Sequence, residues 1–395
     1  MATNKNSKTT SPSNSSEIVP TIDDLLIQIL VKLPLKSLTR FKSVSKHWLS
    51  LISDPDFSRR RKPISGLFLE RLSSFPKGKI PEYNLLDLNQ TSNPGISPTQ
   101  SLTFINVPSG IKILHSCNGL FLCSPKDIRK RFEFYVYNPT TKNYTILPPL
   151  PDRSVLVLGF SLAFDPSKSP NYKVLCVFAT TVSDDNYHTQ IEIYSSKTRT
   201  WRRLSGDAFL ANCETQFANG VFWNGAVHWF SPVEPHLYFN VDQERLSQMP
   251  MPPLPDDYFD EKGFRYFGES GGHLHLIYYF YDLYPAKSHL DIYEMEIDYS
   301  SWFIKFRVDL SEFPTRFPEI NQPDYDDNLY SILYIVHGVD DEQSYALIRI
   351  LGKVIKYNFK SRRFEKLCDI EADEGRLYLS LHTHAHQFIE SLALV

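Results

Sequence analysis

From residue 20 to 61 the apolar positions keep a helical period. Leu25, Leu26, Ile29, Leu30 and Leu33 fall at i, i+1, i+4, i+5 and i+8, one broad stripe on a helix that Asp23 and Asp24 precede. An acidic pair suits a helix N-terminus. Pro34 predicts the end of this helix near Leu33, because proline disfavours helical geometry in the residue before it, and it can open a second helix through Leu38 and Phe41. A third helix is predicted to carry Val44, Trp48, Leu49 and Ile52. Three short helices in about forty residues bury little surface, so a partner or the rest of the chain is expected to complete their core.

From about residue 64 the pattern changes to short aromatic and β-branched runs split by Pro, Gly, Asn and Asp, which predicts an all-β domain over 64–395. A hydrophobic residue followed seven positions later by a bulky apolar one, with a polar turn between them, recurs at Tyr137/Tyr144, Tyr194/Trp201, Phe239/Leu246, Met295/Trp302 and Tyr357/Phe364. Successive first anchors are 57, 45, 56 and 62 residues apart. Such spacing fits four-stranded propeller blades of about 40–50 residues plus insertions. A weaker copy at Leu86, 51 residues before Tyr137 and with Asn93 in its seventh position, brings the expectation to about six blades. Asn118-Gly119, Asn224-Gly225 and Gly271-Gly272 mark tight hairpins, each ahead of its blade's anchor. An irregular β-sandwich is the competing architecture.

Composition narrows the function classes. A net charge of −3 and a pI near 6.5 argue against a protein that coats nucleic acid or an anionic membrane. Five scattered cysteines without paired spacing point to neither a disulfide framework nor a zinc site, which fits a reducing compartment, cytoplasm or nucleus. Residues 1–17, rich in Ser, Thr, Asn and Lys, read as a disordered leader, and no apolar run approaches the ~18 residues of a membrane span. Arg59-Arg60-Arg61-Lys62 reads as a solvated helix end in preference to a nuclear import signal.

The spaced set Asp24-Leu25-Leu26, Ile29-Leu30, Leu33-Pro34, Lys36-Ser37-Leu38, Arg40-Phe41, Val44-Ser45-Lys46, Trp48, Leu51-Ile52 and Pro55-x-Phe57 resembles the F-box family, placing an F-box at 18–61. The family's opening Leu-Pro aligns here with Thr21-Ile22. Further on, SCNGLFLC (116–123), VYNPTTKNYTILPPLP (136–151), GFSLAFDPSKSPNYKVLCVF (159–178), IEIYSSKTRTWRRL (191–204), GVFWNGAVHWF (220–230) and QFIESLALV (387–395) resemble the F-box-associated interaction domain of plant F-box proteins, a Kelch- or propeller-like domain. The resemblance implies a mainly β protein with a small N-terminal helical module. It further implies a substrate receptor of an SCF-type ubiquitin-protein ligase. In that role Leu25, Leu26, Ile29, Leu30, Leu33, Pro34, Leu38, Val44 and Trp48 would dock on a SKP-type adaptor and, through it, a cullin.

Catalytic chemistry finds little purchase. His382, His384 and His386 alternate, and three imidazoles on one strand face can hold a metal, yet a polar solvent-facing strand is the preferred reading and no metal or cofactor is expected. The pairs Asp256-Asp257, Asp326-Asp327 and Asp340-Asp341 read as solvated turns. No GxGxxG, P-loop, GxSxG or HExxH pattern occurs. The expected function is therefore a non-catalytic adaptor. The alternatives are a propeller enzyme acting on glycans or small oxidisable substrates and an F-box protein outside ubiquitin transfer. For the protein target, the Pro- and Asp-rich stretch 314–330 offers Phe317, Tyr325 and Tyr330 as anchors.

Overall fold

The computed structural model describes residues 22–31, 33, 35–54, 57, 64–71, 80–89, 96–126, 133–151, 156–183, 186–204, 208–232, 235–253, 262–280, 289–318, 330–338, 340–350, 352–370 and 385–395. The chain divides into two compact units, 1–61 and 62–395. The leader read at 1–17 lies outside the described residues.

The first unit holds α1 (Ile22–Val31), α2 (Leu35–Phe41) and α3 (Lys46–Ser53). Asp23 and Asp24 sit in the first turn of α1, where the helix dipole favours them, and Asp23 also meets His47 of α3 at 3.0 Å. The interruption between α1 and α2 falls where Pro34 requires it. Ser45 caps α3, its hydroxyl accepting the Trp48 amide at 3.1 Å. Val44 therefore stands in the turn before the cap and not within the third helix as expected.

The second unit is a six-bladed β-propeller. Strands β3 (Ile111–Cys117), β4 (Leu120–Pro125), β5 (Tyr135–Asn138) and β6 (Asn143–Ile146) form blade two. Blade three contains β7 (Leu156–Ala163), β8 (Lys173–Val182), β9 (Asn186–Ser195) and β10 (Thr200–Arg203), with β11 (Phe209–Asn212) also paired to β9. Blade four comprises β12 (Val221–Trp223), β13 (Ala226–Trp229), β14 (His236–Asn240) and β15 (Arg245–Met249). Blade five is β16 (Lys262–Ser270), β17 (His273–Phe280), β18 (His289–Met295) and β19 (Trp302–Asp309). Blade six is β20 (Tyr330–Val336), β21 (Tyr345–Ile350), β22 (Lys353–Asn358) and β23 (Arg363–Asp369). Every pairing is antiparallel.

Blade one joins the two ends of the domain. Its β1 (Gly66–Glu70) pairs on one side with β2 (Tyr83–Asp87) and on the other with the C-terminal β24 (Ala385–Phe388). Isolated bridges Tyr83↔Gln100 and Leu86↔Ile96 stand where the other blades carry a fourth strand. The segment beyond β24 crosses to blade two: Asn138 Nδ2 donates to the Ser391 and Ala393 carbonyls at 3.1 and 2.9 Å, and Thr140 Oγ1 accepts the Ser391 amide at 3.1 Å. Gly119, at φ 89°, leaves room for this segment, since a Cβ there would strike Ser391 and the Ile389 carbonyl.

The seven-residue repeat has a structural meaning. Tyr137↔Tyr144, Tyr194↔Trp201, Phe239↔Leu246, Met295↔Trp302 and Tyr357↔Phe364 are all directly opposed pairs between the third and fourth strands of their blades. Asn138, Asn240 and Asn358 open three of the intervening turns, their side-chain oxygens accepting amides two or three residues on. The hairpins at 118–119, 224–225 and 271–272 all have positive φ at both central residues and join the first to the second strand.

Six apolar clusters close the ring. Phe68 and Tyr83 of blade one pack on Phe121 of blade two; Leu122 and Val136 on Leu162 and Val174; Val177 and Ile193 on Val227 and Phe239. Trp223 and Phe230 then meet Leu276 and Met295, Ile277 and Ile292 meet Ile332 and Ile348, and Leu333 and Leu347 return to Leu67 and Leu86. Each blade thus buries both faces against neighbours, which a face-packed sandwich would not do.

Candidate functional site

The apolar stripe of the helical unit separates into an inner and an outer set. Leu30 and Leu38 are 1% exposed and, with Ile52 and Phe57, form the unit's own core, against which Leu26, Leu33 and Trp48 pack partly buried. Phe41 and Trp48 meet edge to face at 5.3 Å. By contrast Leu25, Ile29, Val44 and Leu49 are 50%, 60%, 61% and 45% exposed. Leu30 and Leu38, expected at the adaptor contact, are thus internal supports, because a closed core has no surface left to offer. Leu49, on α3 as expected, joins the exposed set. Pro34 lies outside the described residues.

In the propeller, the innermost strands face a central cavity of about 170 Å³, lined by Ser116, Gly220, Phe267, Glu269, Tyr334 and Gln387 among others. Polar side chains lace neighbouring blades here. Tyr334 Oη donates to the Glu269 carbonyl at 2.9 Å and accepts from Gln387 Nε2 at 2.7 Å, linking blades five, six and one. His115 accepts the Leu162 amide through Nδ1 at 3.2 Å and donates through Nε2 to the Gly220 carbonyl, linking blades two, three and four. Burial lowers the His115 pKa to about 4, against the opposing pull of the Gly220 carbonyl. The innermost strands of blades two, three, five and six each carry a bulge, at Ile113/His115, Val157/Gly159, Phe264/Tyr266 and Ile332/Tyr334. Each bulge re-aims the residue that follows it. These groups bridge neighbouring blades around the cavity.

The anticipated target loop resolves differently. Phe317 is only 8% exposed and lies in the cluster between blades five and six, edge to face with Phe313 and Phe364 at 5.2 and 5.7 Å. It follows α4 (Phe313–Arg316), whose turn directs both aromatic rings inward. Phe317 is therefore corrected from a surface anchor to a core residue. Tyr330 begins β20 half-buried against Phe313 at 5.3 Å, and Tyr325 lies outside the described residues. Nearby, a shallow cleft of about 580 Å³ is lined by Asp340, Asp341, Glu342 and Lys360 over Phe306 and Phe359, whose rings stack at 4.1 Å.

The candidate catalytic pairs reduce to one that is described. Asp340 closes a turn, its two oxygens accepting the Gln343 amide and side chain at 2.9 and 3.1 Å, so it is engaged in local structure. Asp256, Asp257, Asp326 and Asp327 lie outside the described residues, as do His382 and His384, while His386 sits on β24. Cys117, Cys123 and Cys176 are fully buried, and burial pushes their thiols up, which makes them packing groups. Among the described residues no helix is long and apolar enough to cross a membrane.

The F-box domain model matches residues 23–60, and the F-box associated beta propeller domain model matches residues 80–321. The chain is a plant F-box protein with an F-box-associated β-propeller. Its sequence is 37% identical over 417 residues to F-box protein At5g07610 of Arabidopsis thaliana, an alignment covering 97% of this chain and 94% of that one. Putative F-box/kelch-repeat protein At3g17280 of the same plant is 29% identical over 245 residues, 58% of this chain and 59% of that protein. Among solved structures, an oligogalacturonate lyase from Vibrio parahaemolyticus superposes with a TM-score of 0.43 at 10% identity, over 79% of this chain and 82% of its own, a likeness too remote to bear on activity.

Proposed function

We propose that this F-box protein is the substrate-recognition subunit of an SCF-type ubiquitin ligase. The observation that carries the reading is the outer set on the helical unit: Leu25, Ile29, Val44 and Leu49 stand exposed on a module whose core is already closed by Leu30, Leu38, Ile52 and Phe57. Large apolar side chains gathered on so small a module are the expected footprint of a partner. A SKP-type adaptor covers them and joins the protein to a cullin. The propeller holds a protein target at its loop rim, where the acidic lip Asp340–Glu342 over stacked Phe306 and Phe359 suits a basic segment. It acts by placement and performs no chemistry, in cytoplasm or nucleus.

The test is binding of a purified SKP-type adaptor by full-length protein and by an Ile29→Asp/Val44→Asp double variant. Charges at two exposed positions leave the core intact and are expected to abolish binding while circular dichroism stays unchanged. Undiminished binding by the folded double variant would contradict the assignment.

A further inference from the structure

Between blades five and six four side chains converge that nothing in adaptor or target binding requires. His273 and His275 lie two apart on β17 and so share a face, Glu294 of β18 is directly opposite His275, and His337 follows β20. His273 Nδ1 is 2.7 Å from Glu294 Oε1; His275 Nε2 and His337 Nδ1 are 3.5 and 3.8 Å from Oε2. The rings of His273 and His337 stack at 3.9 Å, 4° from parallel. The His337 backbone is held in place by its N–H, which donates a hydrogen bond to Ser270 Oγ at 2.9 Å.

The group is deeply placed and poorly satisfied. The His275 side chain is fully buried and Glu294 is 7% exposed, yet both ring nitrogens of His275, Oε2 of Glu294 and Nδ1 of His337 have no hydrogen-bond partner. Buried polar atoms without partners are costly, and several converging on one point form a donor set that a cation can satisfy. His273, 40% exposed, opens the group to solvent and gives an ion a path inward.

We propose that His273, Glu294 and His337, with His275 as fourth ligand, bind a divalent ion of the zinc class that pins blade five to blade six. The donor atoms of the first three lie within 4.8 Å of one another, and this is such a group among the described residues. Zn²⁺ with ligands at about 2.0–2.1 Å spaces them roughly 3.3 Å apart, so small side-chain rotations complete a tetrahedron. Imidazole and carboxylate donors select zinc-class ions over calcium or magnesium. Burial lowers His275 and brings His337 to about 4, leaving lone pairs free at neutral pH. Burial by itself raises Glu294, but the His273 imidazole at 2.7 Å outweighs it and keeps the carboxylate ionised. Lys305, whose charge is felt by His275 and His337, opposes the ion, and Glu294 offsets it. On binding, His273 takes the tautomer that carries its single ring proton on Nε2, exchanged through solvent, so that Nδ1 offers its lone pair to the ion.

Full-length protein stripped with chelator and titrated with ZnCl₂ by calorimetry tests this. The expected result is one Zn²⁺ per chain, a melting temperature that rises with zinc concentration, and visible bands of four-coordinate cobalt when Co²⁺ replaces zinc. Glu294→Gln and His337→Gln should each lose all three, whereas His188→Gln, at an exposed position on β9, should keep them. Wild-type protein without saturable zinc, or with a six-coordinate cobalt spectrum, overturns the proposal even if both variants misfold. Retention of stoichiometric zinc by a Glu294→Gln/His337→Gln double variant overturns it as well.

Discussion

His115 of blade two donates its Nε2 proton to the carbonyl of Gly220, 105 residues away at the entrance to blade four. Its Nδ1 is occupied by the Leu162 amide of blade three, so the ring is held in one neutral tautomer and has no site for a second proton. His228 of blade four is fixed in the same manner, Nδ1 towards the Val221 carbonyl at 3.2 Å and Nε2 towards Tyr299 Oη of blade five at 3.0 Å. Ring closure thus depends partly on imidazoles that must stay uncharged.

A pH dependence follows from that. Burial, opposed by their carbonyl bonds, lowers His115 to about 4 and His228 to about 3. Below pH ~6.5 the unfolded chain takes up protons that these folded imidazoles refuse, so stability is full above that pH and falls as pH drops towards 4. Each is expected to cost about 2 kcal/mol between pH 7 and 5. Urea unfolding midpoints measured at both pH values check this, and His228→Gln should lower stability at pH 7 while flattening the difference. An unchanged slope in that variant would contradict the account.

The C-terminal clasp should carry much of the ring's cohesion. Asn138→Ala removes two donors and leaves the Ser391 and Ala393 carbonyls without them, an expected loss of about 2–3 kcal/mol. Deletion of 385–395 removes β24 and should expose β1 as an open edge. Thermal melts and size-exclusion profiles read both, with aggregation expected for the deletion and a lowered melting temperature for the point variant.

Phe317 separates packing from recognition. Phe317→Ala should destabilise the propeller by about 3–5 kcal/mol, as expected for a buried aromatic in contact with Phe313 and Phe364. A substitution at the rim, Glu342→Lys, should leave the melting temperature within a degree or so, as exposed sites usually do, and weaken target capture. A Phe317→Ala variant of native stability would remove that residue from the core.

Much of the architecture was legible because a propeller repeats its third-to-fourth-strand hairpin. Five pairs seven residues apart could be read directly since each is an opposed pair across a short turn. In the weaker copy Leu86 does occupy blade one's third strand, where it bridges to Ile96, and Asn93 lies outside the described residues. Bulges on the innermost strands leave no trace in composition. On the helical unit, periodicity identified the stripe but not the division between Leu30 inside and Ile29 outside, which depends on how three helices meet. The His273–Glu294–His337 group leaves no mark in the sequence because it draws on β17, β18 and the residue after β20, whereas the alternating histidines at 382–386 are neighbours in the chain.

The central claim is that one surface joins the ligase and another holds the target. Affinity purification of the full-length protein from plant cells, with and without proteasome inhibition, compares wild type with Ile29→Asp/Val44→Asp by quantitative mass spectrometry. The account predicts that the variant loses adaptor and cullin together, and that a set of target proteins remains bound and no longer increases on proteasome inhibition. Loss of adaptor and targets alike from a folded variant, or retention of the adaptor, would contradict it.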